Sequence, residues 1–76
     1  MGEDRVSVNP YAERYARAEQ LEPGDVFRWF SEIHLVISAP SHNNDVTVHF
    51  ETFRLDDGSV RDWNPQRLLL LALEGV

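Results

Sequence analysis

The segment Leu21-Glu22-Pro23-Gly24-Asp25, followed at once by Val26-Phe27-Arg28-Trp29-Phe30, constrains the fold of this 76-residue chain most strongly. Proline followed by glycine ends a helix and forms a turn, because proline lacks the N–H that a helix needs and glycine accepts positive φ. The apolar and aromatic residues that come next favour a strand. The sequence therefore predicts a β body over residues 24–73.

Upstream of this turn, the sequence predicts a flexible N-terminus over residues 1–8 and a short helix over residues 9–21. The pair Asn9-Pro10 suits a helix start, because asparagine is a good N-cap and proline fits the first helical position. Two aromatic residues four positions apart would share one helix face. That face would pack on the β body or meet a partner. These residues are Tyr11 and Tyr15.

From residue 33 the apolar residues repeat with a period of two, which is typical of strands. The repeat is interrupted by the turn-forming residues 41–45 and then resumes. The pattern predicts a β-hairpin with His34 and His49 on its outward face. The alternating apolar residues are Ile33, Leu35 and Ile37 before the turn and Val46, Val48 and Phe50 after it.

A second turn is predicted at residues 56–59, because Asp-Gly favours the positive backbone angles of tight hairpins. Phe53 and Leu55 share a parity that differs from that of Phe50. This change predicts a bulge near residues 51–52, and a bulge would bend the sheet. A small bent sheet can curl into a barrel.

The run from Leu68 to Leu73 predicts a closing strand, with a helix beginning at Asn64-Pro65 as the alternative. A strand of this composition exposes leucines on one face unless another surface covers it. The N-terminal helix, a second copy of the chain or a partner protein would provide that cover. Leu68 and Leu70 are therefore candidate interface residues.

The order of these features resembles the small SH3-like or Hint-like β-barrels of bacterial and phage proteins. It comprises Leu-x-Pro-Gly-Asp-Val, an aromatic-rich strand, a hairpin, a turn with glycine and a closing Asn-Pro-x-x-Leu-x-Leu strand, over residues 21–73. The expected fold is mainly β (α+β): a short N-terminal helix, then a small, strongly bent five-stranded antiparallel sheet or SH3-like barrel. Residues 9–76 would form the single domain. The resemblance implies a binding function, and fold alone does not name the ligand.

Self-splicing does not carry over from that resemblance, because the chain has no cysteine and offers only Thr47-Val48-His49 where the family has Thr-x-x-His. No serine lies in a nucleophile-elbow context, and no glycine-rich phosphate loop is present. A zinc site from His34, His49 and Asp45 or Glu51 is the alternative to two strand histidines without a metal, and we favour the latter. We therefore expect no enzyme activity, no cofactor and no metal.

The charge and the apolar content of the chain limit the classes of partner that it is expected to bind. The net charge of −6 disfavours binding to nucleic acids, because it repels their phosphate backbone. All seven basic residues are arginine. The start of the sequence lacks the features of a signal peptide, and the longest apolar run is too short to cross a bilayer. We therefore expect a cytoplasmic protein with no membrane partner.

The function that these observations favour is a small non-catalytic binding module for a protein partner or a second copy, with an accessory protein of a phage or mobile element as one setting. The alternative is a nucleic-acid-binding barrel with a local arginine and aromatic patch. Trp63 would either anchor a ligand or plug the barrel end, and we favour the plug. The candidate binding surface comprises Trp29, Arg28, Arg54, Arg61, Trp63 and Arg67.

Overall fold

The structure, a computed structural model, describes residues 14–74, which form a strongly curled antiparallel sheet, a half-barrel. The sheet order is β1-β7-β2-β3-β5-β4, and β6 pairs with β5 on the edge opposite β3. A 3-10 helix, Ala18–Gln20, follows β1. The strands are β1 (Arg14–Arg17), β2 (Val26–Trp29), β3 (Glu32–Val36), β4 (Ser41–His42), β5 (Val48–Arg54), β6 (Val60–Trp63) and β7 (Leu70–Leu73).

The predicted helix over residues 9–21 is wrong over its described part. Residues 14–17 form β1, which pairs with β7 in the register Ala16↔Leu71. Alanine has the highest helix propensity, but intrinsic propensity is weak compared with tertiary contacts, and pairing with the β7 backbone outweighs it. The remainder of the predicted helix, the predicted flexible segment 1–8 and Tyr11 lie outside the described residues. Among those that are described there is no α-helix, and hence no helix able to span a membrane.

The turn at Pro23-Gly24 is where the sequence predicts it. Gly24 has a φ of 99°, and its N–H donates to the Val36 carbonyl at 2.8 Å. The Asp25 carboxylate accepts the N–H of Glu22 at 2.8 Å, which fixes the turn from within. Strand β2 then begins at Val26, directly after the turn. The sheet itself already includes β1, so it extends upstream of the predicted β body.

Of the two strands in the hairpin predicted around residues 41–45, the second has its predicted inward residues, Val48 and Phe50, and the first has the opposite face inward. Strand β3 pairs with the second half of β5, with Val36 opposite Thr52, while the short β4 pairs with the first half. His34 and Val36 are the buried residues of β3, and Ile33 and Leu35 are only partly covered. The expectation that His34 faces outward is wrong, because hydrogen bonds inside the core satisfy its ring.

No bulge interrupts β5. The register from Phe50↔Trp63 to Phe53↔Val60 is continuous, with Val48, Phe50 and Thr52 all fully buried. Thr52 occupies the next inward position after Phe50, so Phe53, which follows it, points outward. The predicted hairpin turn before β6 is confirmed, and Gly58 within it has a φ of 74°.

The run at residues 70–73 is a strand, as predicted. The segment that precedes it closes one end of the half-barrel through its backbone. The Arg67 N–H donates to the Val46 carbonyl at 2.7 Å, and the Arg67 carbonyl accepts the Glu19 N–H at 3.1 Å. The β1 end and the β5 start are thereby joined.

The core lies inside the curl. Phe27 contacts Phe50 and Trp63 edge-to-face, with ring centroids 6.2 and 5.4 Å apart. Strand β7 contributes Leu71, and the polypeptide around the 3-10 helix contributes Ala18 and Leu21. With so few large residues, each buried ring carries a large share of the stability.

The alternation along β7 gives a matched test. Leu71 is 1% exposed and Leu70 is 59% exposed. We expect Leu71→Ala to lower the free energy of unfolding by about 2–5 kcal/mol, because it leaves a cavity. Leu70→Ala should change it by no more than about 0.5 kcal/mol. Urea unfolding followed by tryptophan fluorescence measures both, and equal losses would contradict the inward position of Leu71 and the outward position of Leu70.

Candidate functional site

Four strands bring their ends together at one end of the half-barrel. The pairs Trp29↔Glu32, His34↔Arg54 and Thr52↔Arg61 place the end of β2, the start of β3, the end of β5 and the start of β6 side by side. We call this region the aromatic end. It comprises Trp29, Phe30, Glu32, Arg54, Arg61 and Trp63.

An aromatic ladder runs outward from the core at this end. Trp63 is 8% exposed and stacks on Phe50, so it plugs the end of the half-barrel. Trp29 meets Trp63 edge-to-face at 5.5 Å between centroids, and Phe30 meets Trp29 in the same way at 5.1 Å. Phe30 itself is 82% exposed.

Phe30 lies in the tight turn between β2 and β3 with a φ of 56°, and it is the one non-glycine residue at positive φ within residues 14–74. A bulky side chain rarely adopts this conformation, since positive φ is favoured by glycine and asparagine. Residues Phe30-Ser31 therefore carry no sequence signal for a turn, and the hairpin formed by β2 and β3 is absent from the sequence predictions.

Glu32 joins the charges of the aromatic end. Its carboxylate lies 2.9 Å from His34 Nε2, 3.2 Å from Arg61 Nη1 and 3.4 Å from Arg54 Nη1. The hydrogen bond from His34 is the main cause that lowers the pKa of Glu32 below 4.5, and the two arginines add to it against the opposing effect of desolvation. Arg61 also lies over the Trp63 ring, 5.5 Å from its centroid.

Beneath Glu32, hydrogen bonds connect four side chains in series, and we call them the Thr52 network. The Trp63 indole donates to Thr52 Oγ1 at 2.8 Å, and that oxygen lies 2.9 Å from His34 Nδ1. A neutral imidazole protonated at Nε2 satisfies every group, because Thr52 then donates to Nδ1 and Nε2 donates to Glu32. Both Thr52 and His34 are fully buried.

The order hydroxyl, imidazole, carboxylate is that of a hydrolytic triad. In this molecule the hydroxyl belongs to Thr52, which has no exposed surface and already accepts the Trp63 N–H. A substrate has no path to it in this conformation. The arrangement accordingly fixes the relative positions of β3, β5 and β6.

The arginines of the candidate surface do not form one track. Arg28 lies on the outer side of β2 and pairs with Glu74 at 2.8 Å. Arg67 lies at the opposite end and pairs with Glu19 at 3.1 Å. Arg54 and Arg61 are the two that meet, and both contact Glu32. The arginines of the local patch considered as the alternative are therefore divided among three places, and each is paired with a carboxylate.

A second surface, which the sequence interpretation missed, is the outer apolar face of the sheet. The register places Val26, Leu35, Phe53 and Val60 in one row across four strands. Phe53 is 37% exposed and Val60 is 61% exposed. We define the outer apolar face as this row together with three flanking residues, Ile33, Ile37 and Leu55.

The predicted interface residues are also at the surface. Tyr15 is 54% exposed, Leu68 is 53% exposed and Leu70 is 59% exposed. Strand β1 places Tyr15 opposite Ala72, on the outer side of the sheet. Leu68 lies before β7, in the segment that closes the other end of the half-barrel.

One group of possible metal ligands occurs among residues 14–74. Side-chain ligand atoms of His49, Glu51 and Asp62 all lie within 4.8 Å of one another. His34 belongs to the core instead, so the His34–His49 pair considered from the sequence is not formed.

No protein-family model, no curated protein and no solved structure matches the chain. The aromatic end has an exposed ring beside charges that neutralise each other, and the outer side of the sheet has a continuous apolar row. Four exposed apolar residues, Ile37, Phe53, Leu55 and Val60, belong to the second feature, whereas Phe30 is the exposed apolar residue of the first.

The Thr52 hydroxyl can be tested with two variants. Thr52→Val keeps the shape but leaves the Trp63 N–H and His34 Nδ1 without their partner. We expect a loss of about 2–4 kcal/mol in the free energy of unfolding, since each unsatisfied buried group costs about 1–3 kcal/mol. Thr52→Ser retains the hydroxyl and should lose clearly less. If urea unfolding ranked the serine variant as the less stable, the network would not be the cause.

Glu32 is expected to make the stability of the fold depend on pH. Its pKa is lower in the folded state than the ordinary value of 4.5, so its contribution to stability is complete above that pH and is lost as the pH falls through the folded pKa. Glu19, Asp56 and Asp57 have lowered pKa values and share this sign. Urea midpoints measured between about pH 7 and pH 3 should therefore fall less steeply for Glu32→Gln than for the wild type. Parallel curves would show that Glu32 does not contribute.

Proposed function

We propose that this chain is a small non-catalytic binding module that docks on a protein partner through its outer apolar face. The observation that supports this proposal is the row of Val26, Leu35, Phe53 and Val60, in which large side chains from four strands lie side by side on the solvent side. Isolated apolar residues are normal on a surface, but a continuous patch is typical of an interaction site.

Charge indicates the kind of partner. The chain carries a net charge of −6, so two copies that approach each other repel. A partner with an apolar contact surface bordered by lysine and arginine side chains would be attracted instead. We therefore assign the outer apolar face to a different, basic protein. A small barrel-like module of the SH3-like or Hint-like kind, acting as an accessory protein, is the setting that fits this assignment.

The turn after β5 carries two aspartates directly after Leu55, and Arg54 pairs with both, at 2.6 Å for Asp56 and 3.4 Å for Asp57. The side chains of Asp56 and Asp57 are 54% and 50% exposed. Charges at the rim of an interface mainly accelerate and orient association, while the desolvated apolar centre supplies most of the affinity. We expect the same division here, with Phe53 and Val60 at the centre.

Two aspartate variants test the proposal. Val60→Asp adds a charge within the apolar row, and Leu68→Asp adds the same charge at a similarly exposed apolar residue outside it. Tagged protein is used to capture partners from nuclease-treated lysate at low and high salt. We expect a captured protein to be lost at least about tenfold with Val60→Asp, a change of about 1.4 kcal/mol, and to be retained with Leu68→Asp.

Other outcomes would contradict the proposal. Equal capture by both variants would exclude the outer apolar face. A dimer of the purified chain that Val60→Asp dissociates, seen by light scattering, would make a second copy the occupant. In a parallel capture from untreated lysate, recovery of nucleic acid that nuclease removes and Arg61→Ala weakens would favour the nucleic-acid-binding barrel.

A further inference from the structure

We propose that His49, Glu51 and Asp62 form a binding site for a divalent transition-metal ion of the zinc type. His49 and Glu51 are two residues apart on β5, so their side chains leave the same side of the sheet. Asp62 is directly opposite Glu51 on β6. The regular pairing of two strands therefore brings one imidazole and two carboxylates together.

The spacing of the ligand atoms suits a metal better than it suits a hydrogen bond. His49 Nε2 and Asp62 Oδ1 are 3.5 Å apart. This is long for a hydrogen bond between nitrogen and oxygen. Two ligands bonded at about 2.0–2.2 Å to a tetrahedral ion would lie about 3.4 Å apart. The third ligand atom is within 4.8 Å of both, a separation that a small side-chain rotation shortens.

Electrostatics favour a cation at this position. Like charges directly opposite each other on antiparallel strands destabilise the pair, and Glu51 faces Asp62 in this way. Within residues 14–74, His49 is the basic side chain that contacts this pair, since the guanidinium of Arg61 is engaged with Glu32 on the inner side. A divalent ion would replace the repulsion between the carboxylates with attraction to both.

The ligand chemistry selects the class of ion. Imidazole with carboxylates suits zinc and related first-row ions, whereas calcium takes six to eight oxygen ligands and magnesium requires near-octahedral oxygen geometry. Three protein ligands leave a further position for water, as in open zinc sites. The His49 side chain is 36% exposed and that of Asp62 is 66% exposed, so an ion can reach the site without a conformational change.

The test uses the whole untagged chain and zinc chloride alone. We expect calorimetric titration in a weakly coordinating buffer to show one zinc per chain, and melting curves to show a rise in Tm of about 5 °C or more at saturation. Magnesium at the same concentration should produce no rise. His49→Ala should weaken zinc binding at least about tenfold, while His42→Ala, which removes another exposed histidine, should leave it unchanged.

The double variant Glu51→Gln, Asp62→Asn provides a second readout. Without metal it should melt at a temperature equal to or above that of the wild type, because the repulsion between the carboxylates is removed, and it should no longer respond to zinc. Absence of saturable binding, or binding that survives His49→Ala, would overturn the inference. Equal losses in His49→Ala and His42→Ala would do the same. The test requires no partner, so it is independent of the proposed docking function.

Discussion

The hydroxyl of Thr52 is the point on which the rest of the curled sheet depends. It accepts the Trp63 N–H from β6 and contacts His34 of β3 while belonging to β5, so one atom links three strands on the inner side. Phe27 of β2 stacks on the His34 ring at 5.5 Å and extends the linkage to a fourth strand. A buried polar group without a partner is costly, so any other register of these strands, which would leave groups of the Thr52 network unpaired, is disfavoured. The polar network therefore specifies the curl of the sheet as much as it stabilises it.

The features that the sequence predicted correctly are those decided by neighbouring residues. The turn at Pro23-Gly24, the turn containing Gly58 and the strand at residues 70–73 follow from local backbone chemistry. Which face of β3 points into the core does not follow from neighbouring residues. Ile33 and Leu35 match the apolar pattern of an inward face, but His34 occupies that face because Thr52, 18 residues away in sequence, provides its hydrogen-bond partner. A period of two identifies a strand but does not determine which of its two faces points into the core.

Dependence on residues distant in sequence also explains how much of the candidate site could be predicted. Trp29, Arg54 and Arg61 meet because they lie at strand ends that share one end of the half-barrel, and Trp63 is the plug that the sequence interpretation favoured. Arg28 separates from them because its parity on β2 is outward, and no sequence signal places Arg67 at the far end. The outer apolar face was missed because the outward position expected for His34 placed Ile33, Leu35 and Ile37 on the inner side. Over residues 14–17 the predicted helix is absent because Ala16 and its neighbours pair with β7, about 55 residues later in the chain.

A polar network inside and apolar side chains outside are two parts of one arrangement. A domain of this size buries only about 60% of its surface, so its apolar residues exceed what one core can hold. Placing His34 and Thr52 inward fixes the register and leaves Leu35, Phe53 and Val60 for the opposite face. The proposed docking would thereby use the side of the strands opposite to the one that forms the core, since Phe53 is next in sequence to Thr52. If the proposed function holds, a substitution on the outer side changes association while the inner network still folds the chain, which is the separation that a binding module of this size needs.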